Sequence, residues 1–172
     1  MTAPIGERPA MADYGVNVPE WAPLPWSWAA ERLIATRNYW LVTVGTDGQP
    51  HSLPVWGVWD ETDRQFMFSC SPTAKKARNI AANPLVSFTN DDSVECVSVQ
   101  GAATRMSEAS RIDTWVDRYL DKYGKEMGPE AGSFIREHSC FEVTPTLAIS
   151  VIERADEFAT RATRWRFVGS DS

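Results

Sequence analysis

The sequence predicts a mainly β (α+β) domain in which six or seven antiparallel strands form a barrel with three flanking helices. Six or seven short segments rich in β-branched and aromatic residues follow one another, mostly separated by turn signals. Helix signals occur in only three places, so strands and helices do not alternate as they do in a parallel, doubly wound sheet. Strands joined by short turns form an antiparallel sheet, and closure into a barrel removes its exposed edges.

The predicted elements cover the chain from residue 27 onward. They are a helix at 27–35, strands at 39–46, 51–59 and Gln65–Cys70, a helix at 73–82, strands at Leu85–Thr89 and Glu95–Arg105, a long helix after residue 107, strands at 140–144 and 147–153, and an extended segment at 162–168.

Local signals place these elements. The three helices are expected to begin at capping hydroxyls, which are Ser27, Ser71 (followed by Pro72) and Ser107. Asp47-Gly48 is a strong hairpin signal between the first two strands. Pro54 cannot donate to a ladder, so its strand lies at an edge or is bulged there.

The long third helix is predicted from an apolar stripe with helical spacing. The stripe consists of Ile112, Trp115, Val116, Tyr119, Leu120 and Tyr123.

The chain is expected to comprise an N-terminal arm, residues 1–25, and one cofactor-binding barrel domain, residues 26–172. The arm is rich in proline and alanine and has no hydrophobic periodicity. The end of the arm is expected to be held against the domain by packing of Trp21, Trp26 and Trp28.

Composition excludes several functions. The formal net charge of −6 disfavours nucleic-acid binding. The sequence contains no run of 18 apolar residues, so no membrane span is expected, and the first residues do not resemble a signal peptide. The 3 cysteines are widely spaced, which indicates reduced thiols and a cytoplasmic protein. The 2 histidines are isolated, so no metal site is expected.

One segment concentrates positive charge in this acidic chain. Lys75, Lys76 and Arg78 lie near the start of a predicted helix, with no acidic residue among them. Free N–H groups at a helix start attract anions, and the cations would add charge-assisted hydrogen bonds to phosphate. The segment is therefore either a phosphate site or a solvated helix face.

Two further segments allow both a functional and a structural interpretation. The strand around Pro54 could expose backbone groups to a flat ring, or could be a simple edge strand. Residues 163–167 alternate arginine and aromatic side chains, which is typical of a groove wall or dimer interface and also of a surface strand. The sequence has no P-loop, GxSxG or GxGxxG motif.

In this order, the segments resemble the flavin/deazaflavin oxidoreductases of the pyridoxamine 5′-phosphate oxidase superfamily, above all the actinobacterial branch that uses coenzyme F420, a deazaflavin. The matching segments are 39–44, 47–51, 54–57, 69 with 75–80, 83–84, 143–145 and 162–167. The resemblance implies an FMN-binding type of split β-barrel. It also implies a homodimer with two cofactor sites at its interface and a small-molecule substrate.

The resemblance further implies which residues contact the cofactor. They are Pro54, Val55, Trp56 and Gly57 along the ring, Ser69, Cys70 and Ser71 facing the ring and its polyol chain, Lys75 and Lys76 at the phosphate with Arg78 and Asn79 beside them, and Trp165 and Arg166 in the C-terminal segment.

The chain departs from the family pattern at Ala74, where a small hydroxyl residue often precedes the two cations. Thr73 is expected to replace that hydroxyl from one position earlier.

The implied function is an F420H2-dependent reductase that transfers a hydride to an activated double bond of a small organic substrate. The alternatives are an FMN-dependent oxidoreductase and a non-catalytic F420- or haem-binding protein of the same fold. No catalytic residue is evident, so the proton is expected to come from solvent.

Overall fold

The computed structural model is a closed antiparallel β-barrel with five α-helices. It describes residues 3–128 and 130–167. The strands are β1 (Gly6–Glu7), β2 (Asn38–Val44), β3 (Pro50–Asp60), β4 (Gln65–Cys70), β5 (Leu85–Thr89), β6 (Glu95–Arg105), β7 (Ser139–Ile152) and β8 (Thr163–Arg166). The helices are α1 (Trp26–Ala35), α2 (Lys75–Ala82), α3 (Ala109–Met127), α4 (Ala131–Arg136) and α5 (Phe158–Arg161).

Six strands close the barrel in the order β7-β4-β3-β2-β5-β6, and β6 then pairs with β7. Strands β8 and β1 extend the sheet from the C-terminal half of β7. The predicted fold class is therefore confirmed. The structure adds the short strand β1 and the short helices α4 and α5 to the predicted elements.

The β2–β3 hairpin forms at the predicted turn signal. Val44 pairs with Pro50, so the loop spans residues 45–49 and is longer than a two-residue turn. Gly48 adopts a φ of 77°, in the left-handed region that favours glycine. Pro54 pairs with Trp40 of β2, and its other side has no strand neighbour in the described part of the chain, which confirms the edge position.

The predicted strands at 140–144 and 147–153 form one continuous strand, β7. The register with β6 passes from Gln100↔Leu147 to Gly101↔Pro145, so Thr146 is the extra residue of a β-bulge. Gly101 permits this close approach, since a Cβ there would lie 2.9 Å from Val143 Cγ1.

The three predicted helix caps are wrong, because α1, α2 and α3 begin without a side-chain cap hydrogen bond. The cap positions hold Pro25, Ala74 and Glu108 rather than Ser27, Ser71 and Ser107. Ser71 instead accepts a 3.3 Å hydrogen bond from Thr73 N in the turn before α2. The capping hydroxyls were thus predicted too far from the true helix starts.

Two hydrophobic clusters stabilise the domain. The first fills the barrel and contains the fully buried aromatic side chains Tyr39, Phe66, Phe68, Phe88 and Trp165. In the second, the predicted stripe of α3 packs with α4 against the barrel wall at Val58, Met67 and Cys140. The two clusters together fix where β3, β4 and α3 meet.

Residues 3–25 contact the barrel at β8. Gly6 pairs with Trp165, and Trp21 Nε1 donates a 2.8 Å hydrogen bond to Ala162 O. Trp26 packs edge-on against Trp165 with ring centroids 5.6 Å apart. Within the ranges that the structure describes, none of the helices has the length and apolar character to cross a membrane.

Candidate functional site

A gap between β3 and β4 lies beside several of the predicted site residues. The β3–β4 ladder runs from Asp60↔Gln65 to Gly57↔Phe68 and ends there. Beyond this point, within the described residues, β4 pairs only with β7, and residues 50–56 of β3 pair only with β2. Both strands therefore present an open edge to the gap, where unpaired N–H and C=O groups can bind a ligand or another strand.

Helix α2 follows β4 and is fixed to the barrel by its buried face. Asn79 is 6% exposed, and its Nδ2 donates a 2.9 Å hydrogen bond to the buried Thr43 Oγ1 of β2. Ala77 and Ile80 join the barrel core. Asn79 therefore positions α2, and this contact occupies part of its side-chain amide.

The predicted cations of α2 are not neutralised by protein carboxylates. Lys75 and Arg78 are exposed and Lys76 is half-buried. None of the three has an ion-pair partner among the described residues. Arg78 Nη1 donates to Thr73 O and so bridges the turn before the helix. Because the net charge is −6, this unpaired cluster is a local positive site.

The end of β4 brings small polar groups next to these cations. Ser71 Oγ lies 3.0 Å from Thr73 Oγ1, which orders the turn. Ser69 is half-exposed. Cys70 is half-buried, and burial raises the pKa of its thiol while the charge of Lys76 opposes that shift. Cys70 is therefore a neutral, packed thiol near the cation cluster.

The four predicted residues of β3 differ in their surroundings. Val55 is in the barrel core, whereas Pro54 is exposed. Trp56 is 37% exposed and stacks on Tyr123 of α3, with ring centroids 5.6 Å apart. At Gly57, a Cβ would lie 2.5 Å from Phe66 Cζ, so close packing accounts for the glycine.

The two predicted C-terminal residues also separate. Trp165 is fully buried and packs on Trp26, whereas Arg166 is exposed and its Nε lies 3.7 Å from Glu7 Oε2. Only Arg166 presents its side chain to the surface. The predicted cofactor contacts of both residues stay predictions.

A lysine and tyrosine cluster on α3 was missed in the sequence. Lys122 Nζ donates hydrogen bonds to Tyr39 Oη at 3.0 Å and Gly57 O at 2.9 Å. Burial lowers the pKa of Lys122 to about 8. Tyr123 Oη lies 2.8 Å from the same Gly57 O, and burial raises the pKa of Tyr123 to about 12. The available signal was the position of Lys122, three residues after Tyr119 and on the border of the apolar stripe.

Arg105 is another candidate functional residue that the sequence did not predict. It lies at the end of β6 and lines a groove together with Arg78. The signal was strand alternation, since Arg105 continues the inward-facing series of Val97, Val99 and Ala103. Across the described residues, no group of three or more histidine, cysteine, aspartate or glutamate side chains could hold a metal ion.

The fold and the site define a class of protein: split β-barrels in which a cation-bearing helix follows an open strand edge. The chain belongs to the pyridoxamine 5′-phosphate oxidase family, because the sequence pattern of that family matches residues 29–151, more than half of the chain. The predicted superfamily is thereby confirmed. None of the curated proteins matches this chain in sequence.

Solved structures support the same fold. The conserved hypothetical protein Rv2991 of Mycobacterium tuberculosis has a TM-score of 0.65 and 18% identity over 87% of this chain and 88% of its own. A protein named F420 reductase has a TM-score of 0.54 and 23% identity over 69% and 93%. HutZ, named as a haem storage protein of Vibrio cholerae, has 0.57 and 18% over 68% and 87%. At these identities the likeness shows the fold, and the names include both an oxidoreductase and a haem protein.

Proposed function

We propose that the protein is an F420H2-dependent reductase that transfers a hydride from the deazaflavin to an activated double bond of a small organic substrate. The observation that carries this proposal is the unneutralised pair Lys75 and Lys76, which follows the open strand edges at the β3–β4 gap. An anionic cofactor is the ligand class that such a pair favours.

The residues around the gap fit a cofactor with a flat ring and a phosphate. Lys75, Lys76 and the first N–H groups of α2 would hold the phosphate, since α2 begins without a side-chain cap hydrogen bond. Ser71 and Thr73 would donate hydroxyl hydrogen bonds to the phosphate or polyol. The edge of β3 at Pro54 would run along the ring.

In this proposal, the bound cofactor supplies hydride transfer chemistry, and the protein supplies binding and orientation. Trp56, held against Tyr123, and the packed thiol of Cys70 would shape the space around the ring. The product is expected to take its proton from solvent.

A homodimer with two sites at its interface is part of the proposal. Large apolar side chains are exposed on the barrel wall, and exposed apolar patches mark interfaces. They are Trp40 (47%), Leu53 (44%) and Leu85 (63%). A cytoplasmic location is also proposed, in keeping with the three free cysteines Cys70, Cys96 and Cys140.

Parallel titrations with F420, FMN and haem, followed by turnover assays, test the proposal. The expected result is micromolar or tighter F420 binding, weaker FMN binding, and oxidation of F420H2 in the presence of an enone or a quinone. Preferential FMN binding with flavin turnover would support the FMN-dependent alternative instead. Tight binding of F420 or haem without turnover by any substrate of the panel would identify a carrier protein and contradict the reductase.

A further inference from the structure

We infer that the groove between α2 and the ends of β6 and β7 is a second binding site, which takes a small organic carboxylate. The groove has a volume of about 390 Å³, and Arg78 of α2 and Arg105 of β6 both line it. A volume of this size accommodates a small organic ligand. The groove borders the turn before α2, which Arg78 bridges through Thr73 O, and Arg78 is also one of the predicted cofactor residues. The inference does not depend on the redox function.

Both arginines are available for an anion. Nine arginines form ion pairs with carboxylates of the described chain, but Arg78 and Arg105 form none. Arg78 uses Nη1 to donate to Thr73 O, which leaves its other N–H groups. A guanidinium group binds a carboxylate through two parallel hydrogen bonds, so either arginine can hold the anion in a defined orientation.

Ser139 adds a hydroxyl to the groove wall. It lies at the start of β7, is 3% exposed as a residue and lines the groove. In the proposed complex, its hydroxyl would donate a hydrogen bond to a carboxylate oxygen held by the arginines.

The remaining walls favour an acid with an apolar body. Ala77, Ile80, Ala103 and Phe141 supply an apolar surface between the polar groups. An aryl or alkyl carboxylate would bury its carbon atoms there and place its charge at the guanidinium groups. Because the whole chain is acidic, a long polyanion would be repelled outside the groove.

Helix geometry separates this groove from the gap between β3 and β4. Arg78 follows Lys76 by two positions, which turns its side chain by about 200° around the helix axis. Lys76 lies close enough to Cys70 to influence its pKa, so it faces the end of β4. Arg78 instead faces β6 and β7, together with Arg105.

Binding of phenylacetate, compared with its neutral isostere phenylacetamide, tests the inference. Calorimetry or ligand-observed NMR on the full chain is expected to show phenylacetate bound at least about tenfold more tightly than the amide. Arg105→Gln and Arg78→Gln should each weaken phenylacetate binding about tenfold or more, and Arg105→Lys less than Arg105→Gln. Ser139→Ala should weaken it about threefold.

Matched variants keep the test specific. Lys125→Gln removes an exposed α3 charge remote from the groove and should leave phenylacetate affinity unchanged. The double variant Lys75→Gln/Lys76→Gln should lower cofactor affinity but not phenylacetate affinity. Equal binding of acid and amide, or wild-type phenylacetate affinity in Arg105→Gln and Arg78→Gln with unchanged circular dichroism, would overturn the inference.

Discussion

Replacing Lys122 with methionine should make the free energy of unfolding less dependent on pH in the alkaline range. The ammonium of Lys122 is half-buried beside Tyr39 and Tyr123, and desolvation by burial lowers its pKa from 10.5 to about 8. Below pH 8 the amine is protonated in both the folded and the unfolded chain, so the folded state bears the full cost of a buried charge. Above about pH 10.5 both states are neutral and the cost is absent.

The size of the effect follows from that difference in pKa. At about 1.4 kcal/mol per pKa unit, the buried charge costs about 3 kcal/mol, an upper value because Lys122 is still partly exposed. Lys122→Met removes this cost and also two hydrogen bonds, worth about 1 kcal/mol each. The variant is thus expected to be about 1 kcal/mol more stable than the wild type near pH 7.

The decisive observable is the change of this stability difference with pH. Between pH 8 and 10.5 the unfolded chain binds more protons than the folded chain. The free energy of unfolding of the wild type should therefore rise by up to about 3 kcal/mol relative to that of Lys122→Met across this pH range. Urea unfolding at several pH values measures it, and Lys125→Met, on an exposed lysine of the same helix, is the control. A stability difference that stays flat from pH 7 to 10 would refute the assignment of a desolvated amine.

Two further substitutions test how the site is held. Gly57→Ala places a Cβ 2.5 Å from Phe66 Cζ and 2.9 Å from Met67 O, so it should destabilise the fold by about 1–3 kcal/mol in urea unfolding; a loss below about 0.5 kcal/mol would contradict the close packing. Asn79→Ala removes the bond to Thr43 and should cost about 1–2 kcal/mol and weaken cofactor binding through α2; unchanged values of both would show that Asn79 does not position the helix.

The barrel could be predicted because its elements are encoded locally. Alternating apolar residues, the Asp47-Gly48 turn and Pro54 each indicate the structure of the segment in which they lie. The apolar stripe of α3 likewise indicates its own helix. The helix starts could not be placed in the same way. Pro25 and Ala74 supply extended backbone at the starts of α1 and α2 without a side-chain cap, so the nearby serines misled the prediction.

The site was predictable only in part, because its parts meet through tertiary pairing. The charge of Lys75 and Lys76 is visible in the sequence, but the gap beside them arises where β4 leaves β3 to pair with β7 alone. Which side of α2 faces β6 and β7 also depends on tertiary packing. This packing places Arg78 and Arg105 in the lining of the same groove. The burial of Lys122 likewise depends on β2 and β3.

The most direct test of the proposed cofactor site is an F420 titration of the Lys75→Glu/Lys76→Glu variant beside wild type and the Lys125→Glu control. The reversed charges should weaken F420 binding about 100-fold or more, while the melting temperature stays within a few degrees because Lys75 is exposed and neither lysine has an ion-pair partner among the described residues. An affinity within threefold of the wild type in a folded double variant would contradict the cation site on which the proposed function depends.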